Sequence, residues 1–298
     1  MPLVNKKYKV MYTVIGIGEI LWDLLPEGKI LGGAPANFAY HAMQLGAEGV
    51  VISAIGDDDL GKEITRIIEQ ENVVNGLYVT KKPTGTVGVQ LNNGIPNYTI
   101  YEDVAWDNIE LTEIAKEKLA KADAICYGSL AQRNEVSCKT IWKALEMVPE
   151  TCLKVFDINL RQHFYSKDII GKSLQFANVF KINEEEIVVF KDMFGMEGTE
   201  EEICQQIVHN YDLTLLTLTK GSEGSLLITK NEQSFIVTPK VEVADTIGAG
   251  DSFTATMIMG ILNKQPLKVL HQKAVDVSAF VCTNSGATPI LPDEFKYQ

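Results

Sequence analysis

A chain of 298 residues with 46% hydrophobic content is long enough to bury one large α/β core or two smaller ones. Its net charge of −12 argues against nucleic acid or an anionic membrane as the main partner. The 5 cysteines are odd in number and form no Cys-x-x-Cys pair, so neither a zinc site nor a disulfide framework is indicated.

In chain order, strand-like runs alternate with helix-length periodic segments, the pattern of parallel β-α-β units. A lysine-bearing start leads into an apolar run over 10–17 that reads as a first core strand and not as a signal peptide, because Glu19 and Asp23 interrupt it. No apolar run of membrane-spanning length follows, so a soluble, cytoplasmic protein is expected. Further strands are expected at 50–55, 124–127, 154–158, 179–182 and 214–219, with helices at 36–45, 60–70, 135–147, 199–209, 251–262 and 267–283. This predicts a doubly wound, mostly parallel sheet with helices on both faces.

One stretch departs from the pattern. Thr86-Val87-Gly88-Val89-Gln90-Leu91 and Asn97-Tyr98-Thr99-Ile100-Tyr101 alternate around Asn92-Asn93-Gly94, which predicts a β-hairpin. It is assigned to a small β lid inserted into the single domain 1–298, with lid elements at 24–31 and 84–106. A later pair of runs, 225–229 and 234–238, reads as another hairpin at the sheet edge.

Ligands of open α/β sheets bind beyond the carboxyl ends of the strands. Polar residues stand at those points: Glu19 and Asp23, then Asp157, Asn159 and Arg161, then Asn183 and Glu186, then Lys220 and Gly221. Near the C-terminus comes Asp245-Thr246-Ile247-Gly248-Ala249-Gly250-Asp251-Ser252-Phe253. Gly248, Ala249 and Gly250 let successive backbone N–H groups face an anion, and the helix that follows adds its positive dipole end. The helix is apolar nearly all round, which predicts burial and a fixed N-terminus. A carboxylate beside a phosphate site is repulsive unless it has a task, such as accepting a proton from an attacking hydroxyl, so Asp251 reads as a base. The plain alternative is a tight turn with an acidic residue in the first helical turn.

A second segment, Leu31-Gly32-Gly33-Ala34-Pro35-Ala36-Asn37-Phe38-Ala39, joins it. Together the two segments resemble the signature regions of the ribokinase-like sugar kinases of the phosphofructokinase B type, in the right order across nearly the whole chain. The resemblance implies that Asp23, Gly33 and Asn37 bind sugar hydroxyls and that Gly248, Ala249 and Gly250 form the anion hole beside the base Asp251. Asn159 is expected at the substrate, and Arg161 after it is expected to steer an anionic substrate or the transferring phosphoryl group, with a surface salt bridge as the plain alternative. Asn183 and Glu186 match the Asn-x-x-Glu element that organises hydrated Mg²⁺ and phosphates. Thr219, Gly221 and Gly224 match the nucleotide loop, with Asn183, Gly248 and Gly250 also toward ATP. A K⁺ site through main-chain oxygens is implied at Asp245, Ile247, Val281, Asn284 and Gly286. The cofactors are then Mg-ATP and, by this analogy, K⁺. A lid edge with unpaired strands also suggests a homodimer.

Tyr98-Thr99-Ile100-Tyr101-Glu102-Asp103 and Gly18-Glu19-Ile20-Leu21-Trp22-Asp23 look like fructokinases, which makes D-fructose the expected substrate and fructose 6-phosphate the product. Kinases for ribose, 2-keto-3-deoxygluconate or adenosine share the scaffold. A non-catalytic sugar-binding regulator is a further alternative, but Asp251 is present. Gly16-Ile17-Gly18 after a strand resembles part of a dinucleotide fingerprint, yet Leu21 stands where its third glycine would be.

Overall fold

A computed structural model describes residues 11–25, 28–92 and 95–297, with side chains given outside 89–98. Val10 of the expected first strand, residues 26–27 of the expected lid element and Asn93-Gly94 of the expected hairpin turn lie outside the described residues.

The elements run β1 (Thr13–Ile17), β2 (Leu21–Leu25), β3 (Gly28–Gly32), α1 (Ala34–Gln44), β4 (Glu48–Ile52), β5 (Ala54–Gly56), α2 (Asp59–Gln70), β6 (Val74–Asn75), β7 (Tyr78–Thr80), β8 (Thr86–Asn92) and β9 (Ile95–Ile100). They continue with α3 (Glu113–Leu119), β10 (Ala124–Tyr127), α4 (Glu135–Met147), β11 (Leu153–Asp157), α5 (Lys167–Phe176), β12 (Val179–Asn183), α6 (Glu184–Phe194), α7 (Glu200–Asn210), β13 (Leu215–Lys220), β14 (Gly224–Ile228), β15 (Gln233–Ile236), α8 (Ala249–Leu262) and α9 (Leu267–Cys282). The large sheet has 9 strands in the order β15-β14-β13-β12-β11-β10-β1-β4-β6. Its pairs are parallel from β6 to β13, and the β14–β15 hairpin closes one edge antiparallel.

Helices cover both faces, so the central strands are apolar on both sides. On one face Tyr127, Phe156 and Phe180 of neighbouring strands stack at 5.4 and 5.6 Å, and Phe190 and Phe194 of α6 extend the row. On the other, Val14, Cys126, Val155 and Val179 meet α1, α8 and α9. Helix α8 is buried continuously from Ser252 to Gly260, as an all-round apolar helix requires.

A second sheet of 4 strands, β3-β2-β8-β9, is built from the segments expected to form a lid. In it β2 and β3 are an antiparallel pair, β8 joins β2 in parallel, and β9 closes the β8 hairpin. Behind the hairpin, Arg133 clamps the chain leaving β9: its guanidinium holds both oxygens of buried Asp107 at 2.8 Å and lies over the Trp106 ring at 3.9 Å.

Three expectations need correction. The strand expected at 50–55 is two: β4 ends at Ile52, the Ser53 hydroxyl donates to the Gly18 carbonyl at 2.6 Å, and β5 departs to pair with β7. The inserted element expected over 24–31 begins earlier, with β2 at Leu21, so Asp23 lies inside that strand. Helices α3, α5 and α6 were not expected. The first two are short and rely on the caps Thr112 and Ser166, and the acidic start of α6 masks a capped helix N-terminus.

Candidate active site

Strand order reverses beside β1, with β4 and β6 to one side and β10 to β13 to the other, so the carboxyl edge of β1 and β10 is the switch point where a ligand crevice forms. Helix α1 sits close against this edge. A side chain on Gly16 would come within 1.8 Å of the Pro35 carbonyl oxygen, so close helix–strand packing explains the Gly16-Ile17-Gly18 sequence. A small cavity of about 10 Å³ lies here, lined by Pro35, Gly128, Asp157, Asn159, Asp251 and Thr254.

Helix α8 starts at this cavity, two residues earlier than expected. Gly248 is its N-cap in the left-handed region, φ 78°, and a Cβ there would lie 2.2 Å from the Ala287 carbonyl oxygen. Only glycine satisfies both demands. The Ala249 N–H reaches the Thr246 carbonyl at 3.3 Å, while helix geometry leaves the Gly250 and Asp251 N–H groups without intrahelical acceptors. Ser278 of α9 donates to the Ala249 carbonyl at 3.0 Å and holds this turn in place.

Asp251 follows in the first turn. Asn37 of α1, 5% exposed, donates from Nδ2 to Asp251 Oδ2 at 2.8 Å. The structure thus shows Asn37 orienting the candidate base, a contact the sequence reading did not anticipate. Burial raises the Asp251 pKa from 3.8 to about 6; the Asp157 charge adds to this, and the Asn37 hydrogen bond, Lys181 and Arg161 oppose it. The carboxylate is ionised near neutrality yet more basic than an exposed one.

Three further ionisable groups stand near it. Lys181 of β12, 7% exposed, pairs with Asp157 of β11 at 3.0 Å. Burial lowers the Lys181 pKa, but the charges of Asp157 and Glu186 outweigh it and the net shift is upward. Glu19, 3% exposed, is raised to about 7 by burial against the opposing effects of its own backbone N–H and Arg161. Sequence reading assigned no role to Lys181. The signal was there: a lysine inside the apolar strand Val179-Phe180-Lys181-Ile182 is out of place unless paired.

At the second sheet, Gly32 makes room for the Asp23 carboxylate and Gly33 for the Glu19 backbone. A Cβ on Gly32 would lie 2.7 Å from Asp23 Oδ2, and one on Gly33, where φ is 116°, would lie 2.4 Å from the Glu19 carbonyl oxygen. Burial raises the Asp23 pKa and Arg161 lowers it. Arg161 thus acts electrostatically on Asp23, Glu19 and Asp251 alike, and it forms no ion pair within 4.0 Å among the described residues. Asn159, φ 43°, turns the chain between Asp157 and Arg161.

Further along the edge, Asn183 and Thr219 are direct partners at the ends of β12 and β13. Asn183 caps α6 by accepting from the N–H groups of Glu185 and Glu186 at 3.0 and 2.8 Å. Glu186 returns the bond to the Asn183 N–H at 3.0 Å and also accepts from Leu160 N–H at 2.9 Å. Gly221, φ 46°, lies beside Glu184. Gly224 is buried in β14, and its missing side chain is what lets β15 pass, since a Cβ would sit 2.4 Å from the Ile236 carbonyl oxygen. The loop holding Asp245 and Ile247 meets the one after α9: Asp245 Oδ2 accepts from Gly286 N–H at 3.1 Å, and the Cys282 carbonyl accepts from Ala244 N–H at 2.9 Å. The Val281 carbonyl accepts from Asn284 N–H at 3.0 Å.

A half-buried helix N-terminus with a carboxylate, at the switch point of a doubly wound sheet, is the arrangement of a phosphotransferase of ribokinase-like fold. The chain belongs to the pfkB family of carbohydrate kinases, which it matches over residues 27–294. It is 31% identical to an uncharacterized sugar kinase of Pyrococcus horikoshii, PH1459, over 97% of this chain and 96% of that one. The crystal structure of that protein superposes with a TM-score of 0.80, covering 92% of this chain and 93% of the other. An Escherichia coli fructokinase is 28% identical over 93% of this chain and 95% of its own. A Xylella fastidiosa fructokinase with bound ATP shares the fold at TM-score 0.82 with 20% identity, covering 95% of this chain and 96% of that one. No helix among the described residues is long and apolar enough to cross a membrane.

Proposed function

We propose that the protein phosphorylates a sugar hydroxyl with ATP, and that the sugar is D-fructose, giving fructose 6-phosphate. The observation that carries the reaction is Asp251, raised to about 6 and aimed by Asn37, at the start of α8. The choice of fructose rests on the fructokinases among the relatives.

Sugar enters between the lid sheet and the edge of β1. Asp23 accepts from sugar hydroxyls, Gly32 and Gly33 allow close approach, and Asn159 and Arg161 flank the reacting end. Asn37, already bonded to Asp251, presents its remaining polar atoms to the substrate. Closure of the lid excludes water that would otherwise be phosphorylated. Asp251 takes the proton of the primary hydroxyl, and the N–H groups of Gly250 and Asp251, supported by Gly248 and Ala249, stabilise charge on the transferred phosphoryl group.

ATP lies along Asn183, Thr219 and Gly221; Gly224 supports that turn from beneath. No cluster of three acidic, His or Cys side chains suited to a metal occurs among the described residues, so a Mg²⁺ would be held chiefly by phosphates and water, with Glu186 acting through water. When bound it neutralises phosphate charge. A monovalent cation such as K⁺ would lie between the 245–247 and 281–286 loops, which the Asp245–Gly286 bond joins.

The test is Mg-ATP-dependent ADP release across fructose, ribose, 2-keto-3-deoxygluconate and adenosine, beside Asp251→Asn. Turnover with fructose, lost in the variant, supports the whole reading. Preference for another panel member moves the substrate and leaves the chemistry. Tight sugar binding without any turnover favours a regulator.

A further inference from the structure

We propose that the Asp157–Lys181 pair is a positioning device for phosphoryl transfer, with Lys181 the fixed positive charge that keeps Asp251 available as a base. This rests on the reading of Asp251 given above.

Stability alone does not account for the pair. Every other residue of β12 up to Asn183 is buried and apolar, and an ammonium there must be taken out of water. Well-packed apolar residues in place of a buried ion pair are generally at least as stable. The location is informative. Lys181 Nζ lies 3.0 Å from Asp157 Oδ1 and 3.4 Å from the position a Cβ on Gly250 would occupy, so the ammonium stands beneath the first turn of α8. The other Asp157 oxygen is approached by Thr254 Oγ1 of the same helix at 3.4 Å. The pair therefore touches the helix that carries Asp251 at two points.

The charges around that turn are unbalanced. Asp157 approaches from β11, Glu186 from α6, Glu19 from the segment after β1 and Asp251 from α8, against Lys181 from β12 and Arg161 from the loop after β11, while burial keeps the Cys126 thiol of β10 neutral. Without Lys181, Asp251 would face acidic neighbours with only Arg161 and Asn37 in opposition, and it would hold its proton at the pH where it must accept one. Asp157 acts in the opposite direction on Asp251 while fixing the lysine in place.

The test is the titration of Asp251 in the ligand-free protein, followed by the infrared band of its protonated carboxyl and assigned by loss of that band in Asp251→Asn. The acid limb of the kcat/KM profile is measured alongside. Lys181→Met is expected to move both midpoints upward by about one unit or more, and Asp157→Asn to move them downward. The double variant, in which the buried pair is neutral, is expected to return near the parent. An unmoved midpoint in Lys181→Met, or shifts of the same sign in the two single variants, overturns the proposal. If Lys181→Met does not fold, Asp157→Asn decides alone, and a midpoint that stays put or rises overturns it. Retained turnover in Asp251→Asn refutes the base reading separately, because the ligand-free titrations do not depend on it.

Discussion

Asp251→Asn should cost activity and raise stability, and the two effects have one origin. The carboxylate is ionised at pH 7.5 in surroundings that raise its pKa from 3.8 to about 6. That rise of about two units, at about 1.4 kcal/mol each, means the folded state carries about 3 kcal/mol of unfavourable ionisation free energy. The sign follows from proton binding. Between the unfolded and folded pKa values the native state holds more proton than the unfolded one, so this group's contribution is fully favourable below the unfolded value and is lost as pH rises through about 6. Asparagine never ionises, and its side-chain oxygen can still accept from Asn37. Urea unfolding of the ligand-free proteins should therefore show the variant more stable by about 1 to 3 kcal/mol at pH 7.5, with the gap narrowing to about half at pH 5. Turnover should fall by about 10²- to 10⁴-fold. A variant no more stable than the parent at pH 7.5, or a gap that ignores pH, would show that the site does not strain the carboxylate.

Three other outcomes can be checked. Gly248→Ala forces a Cβ to within 2.2 Å of the Ala287 carbonyl oxygen, so the start of α8 must move; kcat should drop about 10²-fold with sugar affinity little changed, and normal kcat would disconnect this turn from the chemistry. Asp23→Ala removes a charged acceptor on the lid, and the KM for sugar should rise about 10- to 100-fold while that for ATP holds; equal increases in both would remove Asp23 from the sugar site. Arg133→Met leaves the Asp107 carboxylate, whose side chain is 2% exposed, without its cationic partner and with the Val104 N–H as its remaining donor, and urea unfolding should register a loss of about 3 to 5 kcal/mol. A loss below about 1 kcal/mol would mean that the clamp behind the lid contributes little.

The alternation of apolar strand runs and amphipathic helices was enough to place the strands from β10 to β13 and the helices α4, α7 and α9 nearly at their final bounds, because burial on both sheet faces writes itself into local hydrophobicity. The glycine segments marked both ends of the candidate site, where Gly33 and Gly248 take positive φ that few other residues adopt. Asp251 stood out in the sequence for a separate reason: a carboxylate right after a turn of small residues at a helix start invites a chemical explanation. What the sequence did not disclose are contacts made across the fold. Asn37 and Asp251 are separated by 214 residues yet lie 2.8 Å apart, and only the packing of α1 against α8 brings them together. The partner of Lys181 depends on β11 and β12 being neighbours, and the second sheet depends on β2 joining β8 in parallel. Local composition determines which segments form strands and helices and where the chain turns sharply; strand order and helix docking decide which charges share a low-dielectric crevice, and that sharing sets their pKa values and their chemistry.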